Sequence, residues 1–142
     1  MSRISLQQAS TIIEAALGRG SYLGLKPLSV SVLDAGGHMI AFQRQDGASS
    51  LRERIASGKA AGALALGVSS RKIGEMAANR PSFVASLGTM ATHGIVPAAG
   101  GVIVVDAEGV PIGAVGITGD SSDNDEACAL AGIAAAGLAA QA

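Results

Sequence analysis

Apolar residues near the start of the chain recur every three or four positions, which predicts a helix. Ser5 and Gln8 have the spacing of a capping box, so the helix should begin just after Ser5. The glycines around Gly20 and Gly24 should end it. The apolar positions of this helix are Leu6, Ala9, Ile13, Ala16 and Leu17.

Two later stretches alternate in the manner of strands. Leu28, Val30 and Val32 alternate with serines, the residues DAGG at 34–37 favour a tight turn, and 38–44 runs back as the partner strand. A second hairpin is predicted where VIVVD is followed by the turn AEG and by VPIGAVGIT. A shift of 72 positions superposes the two turns; shared turn chemistry explains this, and an ancient duplication is the alternative.

Between the hairpins the pattern returns to helix. Ser50 and Glu53 suggest a second capping box, which would open a helix that runs to about Leu66. A shorter helix is expected over 69–79, before Pro81, and 81–92 should be helical or irregular.

The last helix should begin after Ser122. Its first turn carries Asp123, Asp125 and Glu126, whose charges suit the positive end of the helix dipole. The predicted order is therefore α-ββ-αα-ββ-α. Hairpins separated by helices favour an α+β fold, with a single antiparallel sheet built from two hairpins and flanked by helices. A chain of 142 residues fits one domain, 1–142.

Composition adds an expectation about packing and assembly. The chain is 49% hydrophobic but only 2% aromatic, and it has 20 glycines, so backbones should approach one another closely. The mean hydropathy of +0.42 is high for a small soluble chain. Some apolar surface is therefore expected to contact other copies of the chain.

Charge and motifs exclude several classes. A net charge of −1 without a basic stripe argues against nucleic acid as a partner, and the lack of a long uncharged apolar run argues against a membrane span or a signal peptide. We therefore expect a cytoplasmic protein. The single cysteine, Cys128, cannot form an internal disulfide and should be a small buried side chain. No hydrolase, zincin, kinase or dinucleotide motif occurs.

Charged residues near the first hairpin suggest a site for a carboxylate. Arg44 and Lys59 could converge on such a ligand, although Arg44 could equally pair with Asp46 or Glu53. The amides of Gly100 and Gly101 could approach the ligand as well, or these glycines could form a plain turn.

His38 and His93 are the two imidazoles of the chain. Either could bind iron, and either could instead make a structural hydrogen bond, since a separation of 55 positions defines no ligand spacing.

Four ordered blocks resemble the haem-degrading family of GlcG, HbpS and the C-terminal domain of PduO. The blocks are VLDAGGHMIAFQRQDGA, IASGKAAGALALG, PAAGGVIVVDAEGVPIGAVGITG and SSDNDEACALAG. The resemblance covers residues 5–140 and implies an antiparallel sheet flanked by helices and a homo-oligomer, commonly of eight subunits. The chain reads Gly100-Gly101-Val102-Ile103 where the family commonly has the block GG-x-P-I with its proline, and it has no histidine in its first helix.

The family implies more than one function. Some relatives bind haem or are linked to cobalamin, which would make this protein a tetrapyrrole binder with His38 or His93 near the metal and Arg44 or Lys59 on the propionates. Another kind resembles a cofactor-free lyase on hydroxylaminobenzoate. In that hypothesis Arg44, Lys59, Gly100 and Gly101 hold a small carboxylate, and a proton is moved by Asp46, His38 or Asp125. An accessory oligomer without a ligand is the third hypothesis.

Overall fold

The elements follow the order predicted from the sequence, with one addition at the end of the chain. The computed structural model describes residues 2–142. The elements are α1 (Leu6–Leu23), β1 (Ser29–Asp34), β2 (Met39–Arg44), α2 (Arg52–Leu66), α3 (Ser70–Asn79), α4 (Pro81–Leu87), β3 (Gly101–Val105), β4 (Pro111–Thr118), α5 (Ser122–Ala135) and β5 (Ala139–Ala140). The sequence did not predict β5, because two alanines carry no alternating pattern.

All the strand pairs are antiparallel, in the order β2-β1-β4-β3-β5. This confirms the predicted α+β fold with one antiparallel sheet flanked by helices. Helices α1 and α5 cover one face of the sheet, and α2 covers the other. The main core lies between the sheet and the α1/α5 pair, where Ile12 and Ile133 pack with Val30 and Val115.

Helix α2 lies unusually close to the sheet. Ala56 and Ala60 are fully buried, and glycines face them across the contact. A Cβ added at Gly116 would overlap the carbonyl of Ala56, and one added at Gly101 would overlap the carbonyl of Lys59. The expectation of close backbone packing from a chain rich in glycine and alanine is therefore confirmed.

The capping box of α1 is present as predicted. Ser5 Oγ accepts a hydrogen bond from the Gln8 amide at 3.0 Å, and Gln8 Oε1 accepts one from the Ser5 amide at 2.9 Å. The helix ends at Gly24, whose φ of 69° requires the left-handed region that glycine tolerates.

The predicted box at Ser50 and Glu53 is wrong. Leu51 precedes the first helical residue of α2, and its side chain makes no capping hydrogen bond. A turn in which the Arg52 amide donates to the Ser49 carbonyl brings the chain into the helix, so Ser50 lies one position too early to cap.

The predicted cap of α5 is wrong by one residue. Ser121, not Ser122, has the extended backbone of a cap, and its Oγ accepts a hydrogen bond from the Asn124 amide at 3.2 Å. The two serines are adjacent, so the pattern alone did not separate them. Cys128 in this helix is fully buried, as expected.

Two further findings concern the remaining helices. Helices α3 and α4 match the expectation for 69–92, since α4 ends at Leu87 and irregular chain follows. Among residues 2–142, no helix is both long and apolar enough to cross a membrane.

Candidate functional site

An open cavity lies between the first hairpin and α2, and both histidines line it. Its volume is about 570 Å³. A neighbouring cavity of about 380 Å³ is also lined by His38 and His93. We call the two together the histidine cleft. Its larger cavity is lined by Leu33, Gly37, His38, Met39, Glu53, Arg54, Ser57, Gly58, Ala61, Thr92 and His93.

Small residues on α2 bring His93 to the cleft. A Cβ at Gly58 would lie 3.0 Å from Val96 Cγ2, and one at Gly62 would lie 3.3 Å from Ile95 Cδ1, both tighter than ordinary contacts. The loop that carries His93 can therefore rest directly on the helix. This places an imidazole from a distant part of the chain beside the first hairpin.

The turn of the first hairpin presents His38. Asp34 Oδ1 accepts hydrogen bonds from the amides of Gly36 and His38, each at 2.9 Å. These bonds, that of His38 foremost, hold the pKa of the Asp34 carboxyl below its usual value. The His38 Nδ1 lies 3.3 Å from the same oxygen, and its side chain is 82% exposed.

The charges of the cleft come from α2. Glu53 and Arg54 lie one turn before Ser57 and Gly58, so the helix presents them on one side. Ser57 Oγ is 3.0 Å from Ser31 Oγ, a hydrogen bond that joins the helix to β1. Sequence reasoning missed Arg54 and Ser57, because they belong to no motif and only their helical spacing relates them.

Lys59 and Asp125 form a buried pair away from solvent. The Lys59 Nζ is 3.3 Å from Asp125 Oδ2 and donates to the Ile117 carbonyl at 2.9 Å. The second oxygen of Asp125 accepts from the Asp120 amide at 3.0 Å. Burial lowers the pKa of the Lys59 ammonium and raises that of the Asp125 carboxyl, while their attraction partly offsets both changes. The pair ties α2 to the end of β4 and to α5.

Gly100 and Gly101, at the start of β3, pack against Lys59. The backbone of Gly100 has a φ of 129°, and a Cβ there would lie 2.8 Å from Lys59 Nζ and 2.5 Å from the Ile117 carbonyl oxygen. The Gly101 amide donates to Ser70 Oγ at 2.7 Å. The geometry of both glycines therefore fits close packing around Lys59.

Arg44 and Asp46 line a different cavity. It has a volume of about 510 Å³ and lies beside Leu17, Leu25 and Pro27. Lys59 is only 3% exposed and does not line it. The structure thus brings His38 and His93 together, and separately Lys59, Asp125, Gly100 and Gly101, but it does not join Arg44 to Lys59.

These features define a class of protein: a small α+β domain with an open, histidine-lined cleft between a hairpin and a helix. The family model of the haem-degrading protein HbpS-like matches residues 4–134. The chain belongs to this family. A search of the curated proteins found no match.

Solved structures support the assignment. A structure described as a complex of PduOC with haem is 25% identical, has a TM-score of 0.87, and covers 99% of this chain and 100% of its own. The crystal structure of HbpS is 27% identical with a TM-score of 0.80, over 94% of this chain and 90% of its own. Protein ORFY of Klebsiella pneumoniae is 25% identical with a TM-score of 0.86, over 96% of this chain and 93% of its own.

Proposed function

We propose that this protein binds a tetrapyrrole, and haem first of all, in the histidine cleft, with His38 or His93 as a ligand of the metal. One observation carries the proposal: the two imidazoles of the chain, 55 positions apart, line the same cavity. Imidazole is a common axial ligand of haem iron. The haem complex described for the PduOC relative supports the same ligand class.

The rest of the cleft fits such a ligand. Met39 and Ala61 offer apolar surface to a macrocycle, and the guanidinium of Arg54 can bind a propionate. The volume of about 570 Å³ falls within the roughly 300–1,000 Å³ of small-molecule sites. A corrinoid is the second tetrapyrrole that this donor set could accept.

Haem titration tests the proposal. We expect the wild-type protein to shift the Soret band relative to free haem. We expect His38→Ala or His93→Ala to weaken haem binding at least tenfold, because substituting even a residue that only hydrogen-bonds a metal ligand lowers metal affinity about 10–100-fold. The measurement is an absorption titration of each variant, with circular dichroism to verify folding.

Two arginines provide the matched comparison. Arg54→Ala should weaken haem binding by up to about fivefold, as for an exposed ion pair worth at most about 1 kcal/mol. Arg44→Ala, in the separate cavity, should leave it unchanged. A Soret band that shifts in both histidine variants as it does in the wild type would reject haem ligation by these residues, and an unshifted band in the wild type would reject haem binding itself. If neither a tetrapyrrole nor a small carboxylate raises the Tm, the accessory oligomer without a ligand is the better hypothesis.

The proposed assembly is a homo-oligomer in the cytoplasm, with the eight subunits that the family resemblance implies. Large apolar side chains are exposed, among them Met39, Leu51, Phe83 and Met90. We expect light scattering of the purified protein to give a mass several times the 13.9 kDa of one chain. A mass equal to one chain at micromolar concentration contradicts the assembly but leaves haem binding untouched.

A further inference from the structure

The two hairpin turns are built alike. The first turn is residues 34–38 and the second is 106–110. In each, the aspartate Oδ1 accepts two amide hydrogen bonds at 2.9 Å, its own amide donates to the residue four positions on, and the glycine amide donates to its carbonyl at 3.0 Å. Each hairpin also has its register shift at the equivalent place, Val32/Leu33 and Val104/Val105.

The turns differ in the residue that closes them. His38 closes the first turn, and Val110 closes the second. Because the second turn forms the same hydrogen bonds without an imidazole, the hairpin itself does not require His38. The Asp34–His38 contact is also exposed, and exposed ion pairs contribute little to stability. The imidazole is therefore available for another role.

The third position of each turn, Gly36 and Glu108, shows how the His38 ring is accommodated. Gly36 has no positive φ, and its counterpart in the second turn is Glu108, so the backbone there accepts a side chain. A Cβ at Gly36 would lie 3.0 Å from both Cε1 and Nδ1 of His38. The glycine thus gives the imidazole room to lie over the turn beside Asp34.

From these contacts we propose that Asp34 is a positioning residue for His38: its carboxylate holds the Nδ1–H tautomer, Gly36 makes room for the ring, and Nε2 is left free to bind a metal. This inference rests on the proposed function, since the metal would be that of the tetrapyrrole. Histidines that bind metals commonly donate their other ring N–H to a carboxylate, which orients the ring and raises its basicity. The geometry of the first turn supplies that carboxylate from the chain itself.

Nitrogen NMR of the haem-free protein is the first test. At a pH above 8, where imidazole is neutral, we expect His38 in the wild type to be mostly the Nδ1–H tautomer. Asp34→Ala and Gly36→Ala should both lower that fraction. Gly36→Ala keeps the carboxylate and the hydrogen bonds of the turn, so its effect isolates the position of the ring. The same tautomer in wild type and both variants would overturn the inference whether or not haem binds.

Haem affinity is the second test, and Asp106→Ala is its control. Asp34→Ala and Asp106→Ala remove the same turn hydrogen bonds from equivalent hairpins, so any general damage is matched. We expect Asp34→Ala to weaken haem binding about tenfold and Asp106→Ala to leave it unchanged. Asp34→Asn, which can keep the amide hydrogen bonds but lacks the charge, should lie between Asp34→Ala and wild type.

The outcomes separate this inference from the proposed function. If the wild type binds haem, and Asp34→Ala and Asp106→Ala bind it with the same affinity as each other, positioning by Asp34 is wrong while haem binding stands. If the wild type binds no tetrapyrrole, the proposed function and the metal role of His38 both fail, and the NMR result still decides whether Asp34 sets the tautomer.

Discussion

Replacing Lys59 with methionine is expected to lower the free energy of unfolding by about 3–5 kcal/mol. Lys59 is 3% exposed, and its ammonium faces Asp125, which is 1% exposed. Methionine fills a similar space but leaves the carboxylate buried without its cation, and the Ile117 carbonyl loses a donor. Urea or thermal unfolding monitored by circular dichroism measures the loss.

The double variant and a surface lysine complete this experiment. Lys59→Met with Asp125→Leu should recover much of the loss, because replacing both members of a buried pair by apolar residues is often neutral. Lys72→Met, on the exposed side of α3, should change the free energy of unfolding by less than about 0.5 kcal/mol. A Lys59→Met variant as stable as Lys72→Met would show that the pair does not hold α2 to α5.

The pH dependence of the Lys59→Met variant has a definite sign. Burial already raises the pKa of Asp125 in the folded wild type, and loss of the cation should raise it further. A carboxyl whose pKa is higher in the folded state binds its proton more tightly there, so the folded state is favoured at low pH and loses stability as the pH rises through the folded pKa. The gap between variant and wild type should therefore be smallest in acid and largest above that pKa.

Replacing Gly116 with alanine is expected to cost about 3 kcal/mol or more in the free energy of unfolding. The new methyl group would overlap the Ala56 carbonyl oxygen, with the Ala60 amide 3.0 Å away. Both atoms are helix backbone, so relief requires α2 to move off the sheet, and overpacking of a core costs about 1–3 kcal/mol, occasionally more. Chemical denaturation measures the change.

Gly18→Ala is the matched control. Gly18 lies in α1, and nothing is within 4 Å of the Cβ that alanine would add. Because glycine costs about 0.8–1.0 kcal/mol relative to alanine inside a helix, this variant should be more stable than wild type by about that amount. Equal effects at the two glycines would mean that α2 is not held as tightly against β4 as the structure indicates.

Much of the fold could be predicted from the sequence because its signals are local. The box at Ser5 and Gln8 and the turn at Asp34 depend on hydrogen bonds between residues a few positions apart. The same reasoning failed where neighbouring residues offered competing caps, as at Ser121 and Ser122. It also missed β5, whose two residues pair with β3 only because α5 returns the chain to the sheet edge.

The candidate site was predicted only in part. The sequence supplied His38 and His93 as separate candidates, and the tertiary structure placed them on one cleft. The sequence also suggested that Arg44 and Lys59 bind the carboxylate of one ligand. In the structure the two residues lie apart, since Arg44 lines an open cavity and Lys59 is buried against Asp125.

The sequence by itself therefore determined the order of elements, the hairpin turns and the family, because these depend on neighbouring residues and on ordered blocks of residue types. The tertiary structure decided which charges are buried and which histidines share a cavity. Those outcomes depend on how closely α2 approaches the sheet and the loop that carries His93. Gly101 and Gly116 allow the sheet to approach α2 closely, and Gly58 allows the loop to do so. These contacts join segments far apart in the chain, so no local sequence pattern predicts them.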